Sequence, residues 1–533
     1  VPMRTFGPHM RALASLLVVL GWMIAPAVAH ARPAPDVVVT DAGAVRGIGN
    51  SQYRQFQGIP YAAPPVGPLR WRPPVAPAPW DGVRDATRPG PDCPQGTGGN
   101  EDCLYLNVWA PVDIPARLPV LVWIHGGSLS MGSGAQYGAE KFLTKGDGPL
   151  LVVTINYRLG TLGYLADKSL EEPNGDVGNY GFMDQQLALD WVHRNIAAFG
   201  GDPDQVTIAG ESAGGQSVCT QLAAPGSDGL YRAAIMQSGP CMWWKTKAQA
   251  ESAGADAVAK LGCAETPSPA DCLRALPVER ILAVNDQVGG TVGTPFLPES
   301  PWDRASGAKL PPVPVIYGAN HDERALWTYL QYGIPVTGHP LTPGGYRQAL
   351  TTALADQGNG FRVPADQIDA VTAQYPLSDY PQPVEALTRA WSDLTSCLIA
   401  REGPMLARRG PAYVYEFADP NPPAPPSPFP LGAFHAGELA YLWNLGGTPV
   451  IGLAIDSLMM TEEQRALSDQ MVRYWSRFVI AGTPDPADLP AMPERSTNTL
   501  MSLRPNTSGP IQVDAFNTDH RCDFWSRVIR MPY

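Results

Sequence analysis

Val206-Thr207-Ile208-Ala209 runs directly into Gly210-Glu211-Ser212-Ala213-Gly214, and Ala213–Leu222 can continue as a helix. A short apolar run, a G-x-S-x-G turn and a helix-competent segment read as strand, sharp turn and helix. A turn this tight needs small residues on both sides of Ser212, because larger side chains would collide. It pushes the Ser212 hydroxyl out at the carboxyl end of a strand. The helix N-terminus then lies beneath the reacting group, where its free N–H groups favour developing negative charge. The five residues alone are a weak signal in a chain with 54 Gly, where an ordinary Gly-rich turn is the bland alternative. The strand before them and the helix after them favour a nucleophile turn.

Further apolar runs surround this unit. Tyr105–Ala110, Val120–Ile124, Leu150–Asn156, Ala233–Gln237 and Val313–Tyr317 are short and rich in Val, Ile and Leu, as strands buried on both faces are. Val120–Ile124 ends at His125-Gly126-Gly127. Within Asp184–Ala198, Leu187, Leu189, Trp191, Val192 and Ile196 follow a helical pattern. Val37–Thr40 and Gly43–Gly47 read as a hairpin, and Gln464–Ile480 as an amphipathic helix. The proline-rich run Asn421–Pro430 cannot be regular helix or central strand. Strand–helix–strand alternation predicts an α/β class fold, a large and mostly parallel sheet flanked by helices with inserted loops and helices.

The length of 533 residues would by itself suggest three or four domains. No repeat and no linker splits the chain, so the reading is one large domain, 32–533, behind a leader. Met10-Arg11, the apolar run Leu13–Val28 and the small-residue sites Ala27-Val28-Ala29 and Ala29-His30-Ala31 read as a secretory signal peptide over 1–31. Its removal takes Arg4 and Arg11 and no acid, so the net charge of −12 becomes −14. No later stretch is long and apolar enough to span a membrane, so no stable membrane insertion is expected after cleavage. The acidic balance argues against nucleic acid, which needs a basic stripe. Eight cysteines suit an oxidising compartment, and their spacings do not resemble a metal or thioredoxin-like motif.

A serine hydroxyl needs a base. The order nucleophile, acid, histidine leaves His339, His435 and His520 as candidates. His435 stands in the small-residue loop Gly432-Ala433-Phe434-His435-Ala436-Gly437-Glu438, which can bring an imidazole to a sheet edge, but composition separates it only modestly from the other two.

Longer motifs carry a more specific signal. Glu101–Trp109 (EDCLYLNVW), His125-Gly126-Gly127, Gly178–Gln186 (GNYGFMDQQ), Phe199-Gly200-Gly201-Asp202-Pro203 and Gly210–Gly215 together resemble the type-B carboxylesterase family, the cholinesterase-like branch of the α/β hydrolases. The likeness runs from about Val37 to Phe524. It implies a secreted ester hydrolase acting on a small-molecule ester, with Ser212 as nucleophile, Glu323 in Gly318–Glu323 as acid and His435 as base. It also implies an oxyanion hole formed by the N–H groups of Gly127, Ser128 and Ala213, and it needs no metal or organic cofactor. The disulfides it implies are Cys93–Cys103, Cys263–Cys272 and Cys397–Cys522, leaving Cys219 and Cys241 as a fourth candidate pair.

Three departures from the family pattern bear on the substrate. Ser128 and Leu129 replace the usual small residue and aromatic after His-Gly-Gly. Arg324 follows Glu323 where the family usually has Gly; it could pair with a carboxylate, face solvent or recognise an acidic substrate. The short Cys93–Cys103 loop leaves no place for the choline-binding Trp of cholinesterases. Leu129, Glu211, Trp243, Trp244 and Arg324 are the substrate-pocket candidates. A lipase, an esterase specialised for a bulky or polyacidic ester, and a catalytically inactive binding homologue are the alternatives; the last would lack the nucleophile that is present here. Oligomeric state is not readable.

Overall fold

The computed structural model describes residues 37–529 except 97, 114–116, 243, 285–287, 335–338, 356–361 and 446–458. The leader and Trp243 lie outside the described residues. Those described fall in one compact unit, Pro35–Tyr533.

Sixteen strands occur among the described residues, in chain order: β1 (Val37–Val39), β2 (Ala44–Arg46), β3 (Ile48–Gly49), β4 (Tyr53–Pro60), β5 (Val83–Asp85), β6 (Tyr105–Pro111), β7 (Leu118–Ile124), β8 (Leu151–Ile155), β9 (Gly201–Glu211), β10 (Ala233–Gln237), β11 (Trp244–Thr246), β12 (Gly290–Val292), β13 (Val315–Asn320), β14 (Ala412–Phe417), β15 (Thr499–Leu503) and β16 (Gly509–Gln512). Eleven form one sheet in the order β16-β15-β14-β13-β10-β9-β7-β8-β6-β4-β3. The run from β8 to β15 is parallel, and antiparallel pairings close both ends. This is the α/β hydrolase fold that the strand spacing and motifs predict.

The central strands are apolar because both faces are covered. Every residue of β7, β8, β10, β13 and β14 is buried. On one face, Val122, Val153 and Ile208 pack with Trp191 and Val192 of the helix Tyr180–Asn195. On the other, Trp123, Ala209 and Ile235 pack with Met471, Trp475 and Phe478 of the helix Glu462–Ala481. The latter helix begins at a Thr461 capping box and stops at Gly482, in the left-handed conformation. β1 and β2 form the expected hairpin. β14, β15 and β16 were not expected from the apolar runs. β14 carries Tyr413, Tyr415 and Glu416 among its six residues, so its polar atoms mask a fully buried strand.

Strand order places the chemistry. In a parallel sheet all carboxyl ends lie along one edge, and β7, β9, β10, β13 and β14 are consecutive neighbours. Their ends lead into His125-Gly126-Gly127, Ser212, Ser238, Glu323 and the loop that carries His435, respectively.

Candidate active site

Ser212 is the residue between β9 and the helix Ala213–Ala223, with φ 57° and ψ −123°. A non-glycine residue at positive φ is strained and is held there by its surroundings. The Ser212 N–H donates to Gln237 O at 2.8 Å, which ties the turn to the tip of β10. On the other side the turn fits against β7: a Cβ on Gly214 would lie 2.0 Å from the Ile124 carbonyl oxygen. Only glycine allows this approach. Ser212 is half-buried while its neighbours Glu211 and Ala213 are buried.

The His-Gly-Gly turn stands beside the serine. A Cβ on Gly126 would lie 3.1 Å from Ser212 Cβ. Gly127, Ser128 and Leu129 all have positive φ, and Ser128 is exposed whereas Leu129 is buried. The N–H groups of Gly127 and Ser128 find no acceptor among the described residues. Ala213, in the first turn of its helix, has no intrahelical acceptor for its own N–H. All three N–H groups are therefore without a backbone acceptor among the described residues.

Glu323 and His435 meet across the ends of β13 and β14. His435 Nδ1 lies 2.6 Å from Glu323 Oε2. The other Glu323 oxygen accepts from the Ser238 hydroxyl at 2.5 Å and the Asn320 N–H at 2.8 Å. Both side chains are buried, and His435 Nε2 has no hydrogen-bond partner among the described residues. The His435 loop is stitched to β13: the Asp322 carboxylate accepts from Ala433 N–H, and Asn320 Nδ2 donates to Phe434 O at 2.7 Å. Glu438 anchors its far side, accepting from Asn320 Nδ2 and from Gln237 Nε2.

The charges are coupled. Burial alone would lower the His435 pKa, but Glu211 and Glu323 outweigh it and push it up to about 9. Burial alone would raise Glu323, yet the imidazolium and its hydrogen bonds hold it below the usual carboxylate range. Burial dominates at Glu211 and raises it well above that range.

A fixed carboxylate on one nitrogen of a buried imidazole, a second nitrogen that makes no hydrogen bond among the described residues and a strained serine next to a glycine turn are parts that acyl-transfer chemistry uses. The carboxylesterase family model matches residues 34–525. The chain belongs to the carboxylesterase family. It is 35% identical over 82% of its length to an acylcarnitine hydrolase of Mus musculus, covering 81% of that protein. It is 34% identical over 87% of its length to a para-nitrobenzyl esterase of Bacillus subtilis, covering 94% of it. A solved PNB esterase structure superimposes with a TM-score of 0.74 at 31% identity, over 91% of this chain and all of that one. This carboxylesterase is accordingly an enzyme of the ester-hydrolase class.

The remaining candidates divide. The Glu211 carboxylate is fully buried and faces His435, so it acts on the imidazole rather than lining open space. Trp244 is half-buried on β11, in a two-stranded sheet with β12. Arg324 pairs with no carboxylate among the described residues and instead packs on Trp327 and Trp391. Sequence reasoning missed Asn320 and Glu438 as anchors of the His435 loop and Trp327 as a neighbour of His435. Their signal was polar or aromatic residues immediately past a strand or beside a candidate. All four cysteine pairs are closed, Cys219–Cys241 among them.

His339 is exposed and His520 lies elsewhere in this carboxylesterase. Ligand atoms of His321, Glu416 and His520 lie within 4.8 Å of one another, a set that could hold a cation. Both rings, however, already bridge carboxylates: His321 to Asp322 and Asp519, and His520 to Asp393 and Glu416. Arg389 also faces His321 Nε2 at 3.5 Å, so the cluster is internally neutralised. No helix among the described residues is long and apolar enough to cross a membrane.

Proposed function

We propose that this carboxylesterase is an exported enzyme, a single catalytic domain spanning 32–533 behind a cleaved leader. It hydrolyses small carboxylic esters through a Ser212–His435–Glu323 triad. His435 Nε2 removes the Ser212 proton as Oγ attacks the ester carbonyl carbon. The oxyanion is held by the N–H groups of Gly127, Ser128 and Ala213. Collapse breaks the carbon–oxygen bond, and the leaving alkoxide takes the proton from His435 to depart as the alcohol. Water then attacks the acyl-enzyme, gives a proton to His435, and the acid leaves as Ser212 Oγ is reprotonated. Glu323 holds the ring in the tautomer that keeps Nε2 free to accept.

The observation that carries this reading is the buried 2.6 Å contact between His435 Nδ1 and Glu323 Oε2, while among the described residues Nε2 makes no hydrogen bond and has only the Glu211 carboxylate facing it at 3.2 Å. The four disulfides accord with an oxidising compartment. Hydrolysis of p-nitrophenyl acetate, butyrate and a long-chain ester by the wild type and Ser212→Ala tests the assignment. The substitution is expected to remove activity by about 10⁴-fold or more with the fold intact. Equal activity of the two proteins would refute Ser212 as nucleophile.

A further inference from the structure

Arg324 is a cation without a counter-ion beside the base. Its Nε donates to Thr395 Oγ1 at 2.8 Å, and its N–H donates to Ser392 Oγ at 3.0 Å. The guanidinium carbon lies 4.7 Å from the Trp327 ring and 5.0 Å from the Trp391 ring. These rings favour a cation electrostatically but accept no hydrogen bond in the guanidinium plane. The four N–H bonds on Nη1 and Nη2 meet no acceptor among the described residues. The neighbouring carboxylates are committed. Glu323 serves His435, Ser238 and Asn320. Asp393, two residues before Thr395 in the same helix, serves His520, Arg389 and Tyr375. Burial weakens Arg324 as a base, to a pKa of about 10, so it remains charged at neutral pH.

The location gives this cation its meaning. Trp327 packs against His435 with ring centroids 4.6 Å apart, and Arg324 packs on the same Trp327, so its guanidinium lies within about 9 Å of the imidazole. Arg324 is half-buried, so its open planar fork remains accessible to an anion, and a carboxylate matches that fork in two parallel hydrogen bonds.

We propose that Arg324 binds a free carboxylate of the substrate, and that the preferred substrates are esters carrying a second carboxylate a few bonds from the scissile carbonyl, such as half-esters of dicarboxylic acids. This rests on the ester-hydrolase reading of the same site and names its substrate class. Thr395 fixes the guanidinium, the two tryptophans hold it by cation–π contact, and the aliphatic part of the acid lies along Trp327 toward Ser212.

The test compares monoethyl adipate with ethyl hexanoate, read as released acid or ethanol, in wild type, Arg324→Ala, Arg324→Gln and Arg324→Lys. The ratio of kcat/KM for the half-ester to that for the neutral ester is expected to fall about 10–100-fold in the Ala and Gln variants, through KM, and to recover in part with Lys. An unchanged ratio overturns the proposal, whether both activities fall together or neither moves. Free adipate should inhibit wild-type hydrolysis of ethyl hexanoate competitively, more strongly at low salt than at high. This measurement needs no variant to fold, and no inhibition at any salt also overturns the proposal. Loss of ethyl hexanoate hydrolysis in Ser212→Ala separately tests the catalytic reading.

Discussion

The Glu211 carboxylate faces His435 Nε2 at 3.2 Å, on the nitrogen opposite the one that Glu323 holds. The imidazole therefore sits between two carboxylates, and both favour its protonated form. In the proposed mechanism only neutral His435 can take the Ser212 proton. The kcat/KM of the wild type is expected to rise with pH as His435 deprotonates, along a limb displaced from 6.5 toward about 9. Glu211→Gln removes the carboxyl group whose ionised form raises His435 most, so the limb should move to lower pH. Superimposable pH–rate profiles of wild type and Glu211→Gln would show that Glu211 does not set the imidazole's basicity.

His321 and His520 form a second ionic centre. Burial opposes their protonation, but hydrogen bonds to Asp322 and Asp519 raise His321 to about 10, and Asp393 and Glu416 raise His520. A histidine with a raised folded pKa contributes stability that is complete below its ordinary value of 6.5 and is lost as pH climbs through the folded value. The melting temperature should therefore decline between pH 7 and 10. The decline should be shallower in His321→Gln and His520→Gln. Parallel curves for all three proteins would contradict the ionic account.

Gly214 lets the nucleophile turn rest on β7. In Gly214→Ala the new methyl would lie 2.0 Å from the Ile124 backbone oxygen, where no flexible side chain can give way. The expected cost is about 3 kcal/mol of unfolding free energy. Activity should also fall, because displacing β7 moves Gly126 and Gly127 away from Ser212. Chemical denaturation and ester hydrolysis measure the two effects; wild-type values for both would mean the turn relaxes freely.

The Cys219–Cys241 bond links the helix that follows Ser212 to the segment after β10, across 22 residues of chain. Non-reducing peptide mapping should recover it together with the other three links. Replacing both cysteines by Ala should lower stability by about 3 kcal/mol, mainly by freeing the unfolded chain. A stability equal to wild type would show that this cross-link constrains nothing in the unfolded state.

Local sequence carried much of the fold and part of the site. The apolar run Val206–Ala209 and the turn around Ser212 could be read because strand burial and turn sterics act over a few residues. The buried strand β14 is masked because Tyr413, Tyr415 and Glu416 interrupt its apolar run, and the Glu416 carboxylate is satisfied by His520, far along the chain. Glu323 and His435 were legible only through resemblance, since 112 residues separate them and neither has a distinctive local pattern.

The sequence by itself determined the central buried strands, the serine turn and the residue types on offer for the proposed chemistry. Tertiary structure alone decided which groups meet. Adjacency of β9, β10, β13 and β14 sets Glu211 and Glu323 on the two nitrogens of His435, with Ser238 on Glu323. It also left Arg324 on two tryptophans without a carboxylate, although the chain has 50 acidic residues. Charge pairing depends on distance and burial, and neither can be read from composition or from spacing along the chain.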